Sequence, residues 1–261
     1  MRRNFQLIKY LFNKIGMKKY IFLVLIAVSF AMNTFAQSGS GSTPMVIESQ
    51  MLLPKRGMED KFEAAVLAHN KKYHPDGPYV AGLRKIEYGP KAGWYAWVFG
   101  PTTYGSLDTR PTKENGHDQD WNTTVDPLVQ EYGGTGLWNF NSDLSYGWDL
   151  FKKTKHYEIW GIDLKPKQYY RFKTLCEKLK KVYETLGTTA FIVLENNLHY
   201  SDGPNFSLIW SFNTYDGWQK DPGPKAAYEK LYGEGSWQTA MDEWMDMVKS
   251  YDTEIRSNIT Q

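Results

Sequence analysis

The sequence predicts an α+β chain made of two copies of one strand–helix–strand–strand–helix unit, and three internal echoes carry that prediction. Trp121-Asn122-Thr123-Thr124-Val125-Asp126 is answered by Trp237-Gln238-Thr239-Ala240-Met241-Asp242. Tyr95-Ala96-Trp97-Val98-Phe99, followed by Thr103-Tyr104-Gly105, is answered by Phe206-Ser207-Leu208-Ile209-Trp210, followed by Thr214-Tyr215-Asp216. Phe62 and Tyr73 are answered by Phe172 and Tyr183. The offsets of 110, 111 and 116 residues keep the order and nearly the spacing, which is the mark of a duplicated fold unit.

In the first unit, expected over 45–132, Met45 to Leu53 reads as a strand that Pro54-Lys55-Arg56-Gly57 breaks. Met58 to Tyr73 follows as a helix with Phe62, Val66, His69 and Tyr73 on one stripe, and Asp76-Gly77-Pro78 stops it. Val80 to Tyr88 and Gly93 to Phe99 read as strands around a turn at Gly89-Pro90-Lys91-Ala92. A helix is expected near Trp121, capped by Asp118 or Asp120, with Pro127 tolerated only in a first turn or at a kink. Residues 133–150 are rich in Gly, Asn, Ser and aromatics. They read as a linker packed on the units through Trp138, Phe140 and Trp148.

The second unit, expected over 151–261, repeats the order. His156 to Leu164 is a strand broken by Pro166. Gln168 to Leu186 is the clearest helix, with Phe172, Leu175, Leu179, Val182 and Leu186 on its apolar stripe and Gly187 as its stop. Thr189 to Leu198 and Phe206 to Phe212 are strands around Ser201-Asp202-Gly203-Pro204. Lys225 to Leu231 reads as a short helix, and Ser236 caps a last one running to about Tyr251. A further edge strand per unit is compatible with the pattern.

Tyr95, Trp97 and Phe99 alternate with Trp94, Ala96 and Val98, so both faces of that strand are apolar. Such a sheet needs a cover on each side, and the second copy is the obvious one. The pattern is that of ferredoxin-like units. It resembles the dimeric α+β barrel superfamily, which includes the antibiotic-biosynthesis-monooxygenase-like domains. The resemblance spans most of Met45 to Tyr251 and rests on element order and duplication. It implies a pseudo-dimeric barrel within one chain, hence a monomer. It also implies a small molecule held between sheet and helices, where a histidine can act as base, donor or haem ligand. The superfamily's haem-degrading branch uses an asparagine, tryptophan and histidine set that does not map residue by residue onto this chain. No cofactor is expected.

The leader sets the address. Lys18 and Lys19 precede the apolar run Ile21 to Val28, and Thr34-Phe35-Ala36 presents small residues at the positions a signal peptidase reads. Residues 1–36 are therefore expected to be a signal peptide, with Met17 the more natural start, and 37–44 a Ser/Gly-rich lead-in. The apolar run is short for a membrane span, and no cysteine at the cleavage point offers a lipid anchor. The expectation is a periplasmic or secreted protein with no stable membrane span. Of 31 basic and 29 acidic residues, six basic ones (Arg2, Arg3, Lys9, Lys14, Lys18, Lys19) lie in the leader, leaving 25 against 29. That balance, with no basic stripe, argues against nucleic acid. The lone Cys176 reads as a small buried apolar residue.

The residues carry no complete catalytic set: His-Glu-x-x-His, Gly-x-Ser-x-Gly and Gly-x-Gly-x-x-Gly are all missing. His69 is the candidate of most interest, because its repeat counterpart is Leu179. Tyr73, Arg84, Tyr88, Tyr95 and Trp97 complete a candidate ligand set. Arg84 and Tyr88, four apart on a strand, share a face and could orient a carboxylate or phenol. His74 reads as a helix-end histidine. His117-Asp118-Gln119-Asp120 is metal-capable, but it lacks a recognised ligand spacing and capping explains its aspartates, so no metal is expected. The function expected is binding of a small, mainly apolar or aromatic molecule without committed catalysis. The alternatives are a cofactor-independent monooxygenase-like enzyme using His69 as acid/base, and an envelope interaction domain with no pocket. N-terminal sequencing of exported protein should begin at Gln37; an intact apolar leader in the membrane fraction would refute cleavage.

Overall fold

The computed structural model describes residues 45–198, 203–220 and 223–259. The predicted leader and lead-in, His199 and part of the turn around Ser201 lie outside them. The first half runs β1 (Met45–Pro54), α1 (Glu59–Tyr73), β2 (Ala81–Tyr88), β3 (Tyr95–Thr102), α2 (Tyr104–Asp108), α3 (His117–Thr124) and β4 (Val129–Phe140). A short helix α4 (Trp148–Phe151) lies in the connection. The second half runs β5 (His156–Leu164), α5 (Tyr169–Leu186), β6 (Phe191–Asn196), β7 (Phe206–Phe212), α6 (Tyr215–Gln219), α7 (Pro224–Tyr232), α8 (Ser236–Met247) and β8 (Val248–Ile259).

Each half is thus β-α-β-β-α-β, and the fourth strand is what the sequence left undecided. Within the halves the strand orders are β4-β1-β3-β2 and β8-β5-β7-β6. The halves then join edge to edge, β2 with β8 and β4 with β6, into a closed antiparallel barrel. The chain therefore has the dimeric α+β barrel fold as a tandem duplication, and its sheets share edges as well as facing one another. A strand edge left open exposes unpaired N–H and C=O groups, and closure removes that liability.

Two expectations change for local reasons. Gly133 to Phe140, expected as the start of a linker, is the body of β4, paired with β1 from Met45↔Phe140 to Pro54↔Val129. Its glycines hid it. A Cβ on Gly133 would stand 2.8 Å from Trp94 Cζ3 and 2.9 Å from Met51 Cβ, so close packing requires glycine within a strand. The last helix stops at Met247 and not near Tyr251, because Val248 already pairs with Leu164 in β8. Its cap is Gly235, at φ +75°, and not Ser236.

The barrel separates two kinds of core. Ile47, Met51, Ile86, Ala96, Val98, Ile159, Ile192 and Ile209 turn inward as one cluster. On the outer face of the first half, Phe62 and Val66 of α1 pack on Leu52, Leu83 and Tyr95. On the outer face of the second half, Phe172, Leu175, Cys176, Leu179 and Val182 of α5 meet α7, α8 and the strands beneath. Burial pushes the Cys176 thiol up, as fits an inert core residue. No helix among the described residues is long and apolar enough to cross a membrane.

Glu195 on β6 ties the connection to α5. It accepts from Tyr169 Oη and Asn141 Nδ2, and pairs with Lys173 Nζ at 3.0 Å. Burial alone would raise its pKa, but the three donors outweigh it and hold the carboxyl below its ordinary value. The stabilisation is present above the unfolded carboxylate pKa of about 4.3 and is lost as pH falls through the folded value. Glu195→Gln should cost about 1.5–3 kcal/mol in urea denaturation at pH 7, and the gap to the parent should close on acidification below about pH 4.

Candidate functional site: a barrel cavity and a histidine centre

Because side chains alternate along each strand, the inward set leaves a cavity of about 620 Å³ within the barrel. Its size suits a small molecule. Ile47, Val98, Ile159 and Ile209 and the rings of Trp138 and Trp148 make much of its wall. Arg84 projects from β2 into this apolar surround. Its Nε donates to Asn258 Oδ1 at 3.3 Å, and its guanidinium carbon lies 4.9 Å from the Tyr157 ring centre and 5.6 Å from that of Phe151. Among the described residues it makes no ion pair. Burial pushes its pKa down, Tyr157 opposes the shift, and Arg256 adds to it. Of the other charges at the wall, Arg256 Nε donates to Glu254 at 2.6 Å, Asp163 pairs with Lys249 at 2.8 Å, Lys91 lies over the Trp94 ring, and Asp252 makes no ion pair among the described residues.

The remaining members of the candidate ligand set are dispersed. Tyr88 does not share a face with Arg84, because the β2–β8 register shifts between Ile86 and Tyr88 and breaks the two-residue alternation. Tyr88 is 60% exposed and meets Tyr215 on the outside of the barrel. Tyr95 and Trp97 point to the helix side. Tyr95 Oη donates to Glu63 Oε1 at 2.5 Å, and Trp97 Nε1 donates to Asn70 Oδ1 at 2.9 Å. Burial first, then the Glu63 carboxylate, hold the Tyr95 phenol up. The layer between α1 and the sheet, expected to hold the pocket, is filled by Leu52, Phe62, Val66 and Leu83, each at most 1% exposed. The cavity lies on the opposite face of the same strands.

His69 sits at the end of that filled layer, 1% exposed. It is not alone. His74 follows α1 directly and His117 opens α3, so the three rings meet with centroids 4.7 to 5.5 Å apart. One ring nitrogen of each lies within 4.8 Å of the others. Tyr73 packs at 5.0 Å from the His69 ring and 5.3 Å from that of His117. Trp121 and Trp97 close the apolar side. The aspartates expected to cap α3 serve the histidines instead: Gly116, at φ +82°, is the cap residue. Asp120 Oδ2 accepts from His69 Nδ1 at 2.8 Å, and Asp118 Oδ1 accepts from His117 Nδ1 at 2.8 Å. His74 Nδ1 donates to the Tyr79 carbonyl at 2.8 Å. Burial lowers the His69 pKa against the pull of Asp120, and burial lowers that of His74 to about 4. Asp120 is pushed up by burial but held low on balance by its bonds to His69 and Lys72.

No protein-family model and no curated protein matches the chain. Solved structures do match in fold. A Lactobacillus acidophilus protein provisionally described as a monooxygenase aligns with a TM-score of 0.55 at 13% identity, over 84% of this chain and 95% of its own. A Fusobacterium nucleatum protein of the same description aligns with a TM-score of 0.55 at 11% identity, over 84% and 94%. An anthrone oxidase-like protein aligns with a TM-score of 0.50 at 8% identity, over 84% and 93%. At these identities the likeness defines the class of fold and nothing finer.

Tyr95→Phe leaves Glu63 without its donor. It should cost about 1–2 kcal/mol of stability in urea denaturation; an unchanged midpoint would refute the bond's contribution.

Proposed function

We propose that the protein binds a small, mainly apolar or aromatic molecule carrying one anionic oxygen, and that it does so inside the barrel. The observation that carries this reading is Arg84, a guanidinium without an ion-pair partner among the described residues, in a mainly apolar cavity of about 620 Å³. A charge taken from water and left unpaired is costly, and a carboxylate or phenolate would supply its missing partner through the terminal nitrogens. The tryptophan rings of the wall suit a flat ligand. Both halves contribute to the wall, so a single chain completes the site, in keeping with a monomer. Export to the periplasm or beyond belongs to the same proposal and rests on the leader pattern.

A monooxygenase-like reaction in this cavity is the second reading, favoured by the descriptions of the fold neighbours. In that reading His69 would not reach a substrate in the cavity, since it is absent from the wall and packs on Trp121 on the helix side of the sheet. Binding is therefore the reading that the residues support without an added catalytic group.

The test uses 2-naphthoate as probe and tryptophan fluorescence as readout. Saturable quenching is expected in the parent. Arg84→Met should weaken it at least tenfold with stability unchanged or raised, since burying a charge is no longer required. Gly161 faces the cavity from β5, where an added Cβ meets only Pro204 at 3.6 Å. Gly161→Leu should therefore fill the space and abolish binding. Quenching that survives both substitutions would overturn the cavity reading.

A further inference from the structure

The three histidines have a feature that packing does not explain. Each Nδ1 faces an acceptor: Asp120 for His69, the Tyr79 carbonyl for His74, Asp118 for His117. An acceptor at Nδ1 keeps the ring proton there and leaves a lone pair on Nε2. The Nε2 atoms of His74 and His117 are 3.0 Å apart. Two lone pairs at that distance repel unless a cation or proton lies between them. The third, His69 Nε2, is buried and has no hydrogen-bond partner among the described residues, on a side chain with 0% exposure. A proton between His74 and His117 would settle that pair and leave His69 Nε2 unmet. A metal ion settles all three at once.

We propose that His69, His74 and His117 form a binding site for a divalent transition-metal ion, zinc in the first instance, with each imidazole ligating through Nε2. Three imidazoles suit zinc and its neighbours rather than magnesium or calcium, which take oxygen ligands. Tetrahedral bonds of roughly 2.0–2.1 Å place ligand nitrogens about 3.3 Å apart. The ring nitrogens here already lie within 4.8 Å of one another, with one pair at 3.0 Å, so side-chain movements of about an ångström complete the geometry. The outer hydrogen bonds are those that metal-binding histidines use: a carboxylate or carbonyl on the far nitrogen fixes the ring and raises its basicity. Asp120 is itself steadied by Lys72 at 3.1 Å, and Trp97, Trp121 and Phe99 wall off the apolar side. His117 is the least buried ligand, its side chain 18% exposed. The fourth position therefore opens towards solvent and would hold water or an exogenous ligand, as in three-histidine zinc sites that keep an open position. The centre belongs to the first half alone, since Leu179 replaces His69 in the second.

The experiment is a zinc titration of the full, tag-free protein after chelator treatment, in competition with a chromophoric chelator, with cobalt(II) as spectroscopic stand-in. One equivalent per chain is expected with a dissociation constant below about 1 μM, together with a rise in Tm and tetrahedral cobalt bands in the visible. His117→Ala, at the least buried ligand, should leave the metal-free Tm unchanged and weaken zinc at least 100-fold. His69→Leu, which restores the residue of the other copy, should keep the metal-free protein folded and remove the zinc-dependent rise in Tm. Stoichiometric binding that persists in both variants, or no binding by the folded parent, would overturn the site.

Discussion

Edge pairing between the two halves is the constraint on which the rest of the molecule depends. β2 bonds to β8 and β4 to β6, and these two seams turn a pair of four-stranded sheets into one barrel. Without them each half would present two open edges and an apolar inner face to water. With them, Ile47, Val98, Ile159 and Ile209 are buried inside the barrel, where Trp148 and Phe151 of the short α4 pack against them. The seams also suit the polar composition of β8. β8 lies between β2 and β5, and its Glu254 and Arg256 pair with each other at the barrel wall and need no apolar partner.

Closure gives every strand an inner and an outer environment, and the candidate chemistry divides along that line. Arg84 and Leu83 are neighbours in sequence, yet one lines the cavity and the other packs beneath α1. The same separation sets the histidine centre apart from the cavity: β2 and β3 stand between them. A ligand inside the barrel and an ion on the helix side would be bound independently, and any coupling would have to pass through those strands.

The two copies differ where α1 and α5 meet their sheets. In the second half the layer is apolar throughout, with Leu179 in the place of His69 and with α7 and α8 adding Tyr228 and Trp244. In the first half buried polar groups collect towards the C-terminal end of α1, held by partners from elsewhere in the chain. His74 reaches the backbone at Tyr79, Asn70 receives the Trp97 indole, and Asp120 comes over from α3. A buried imidazole nitrogen left unpaired costs about 1–3 kcal/mol, so His69 Nε2 is an expense that packing alone gives no reason to keep.

The sequence by itself determined the duplication, the helices α1 and α5, most of the strands and hence the class of fold, because apolar periodicity is local and survives without knowledge of partners. It marked His69 by its contrast with Leu179, and Arg84 as a group able to meet an anion. It did not reveal β4 or β8, since Gly133 reads as loop until Trp94 and Met51 are seen against it. Nor did it reveal that Arg84 and Tyr88 part company, because the bulge responsible lies in the pairing with β8. The histidine centre was illegible for the same reason. His69, His74 and His117 have no ligand spacing along the chain. Asp118 and Asp120 look like caps until α3 is laid across the end of α1, and that placement is decided by long-range packing and by closure of the barrel.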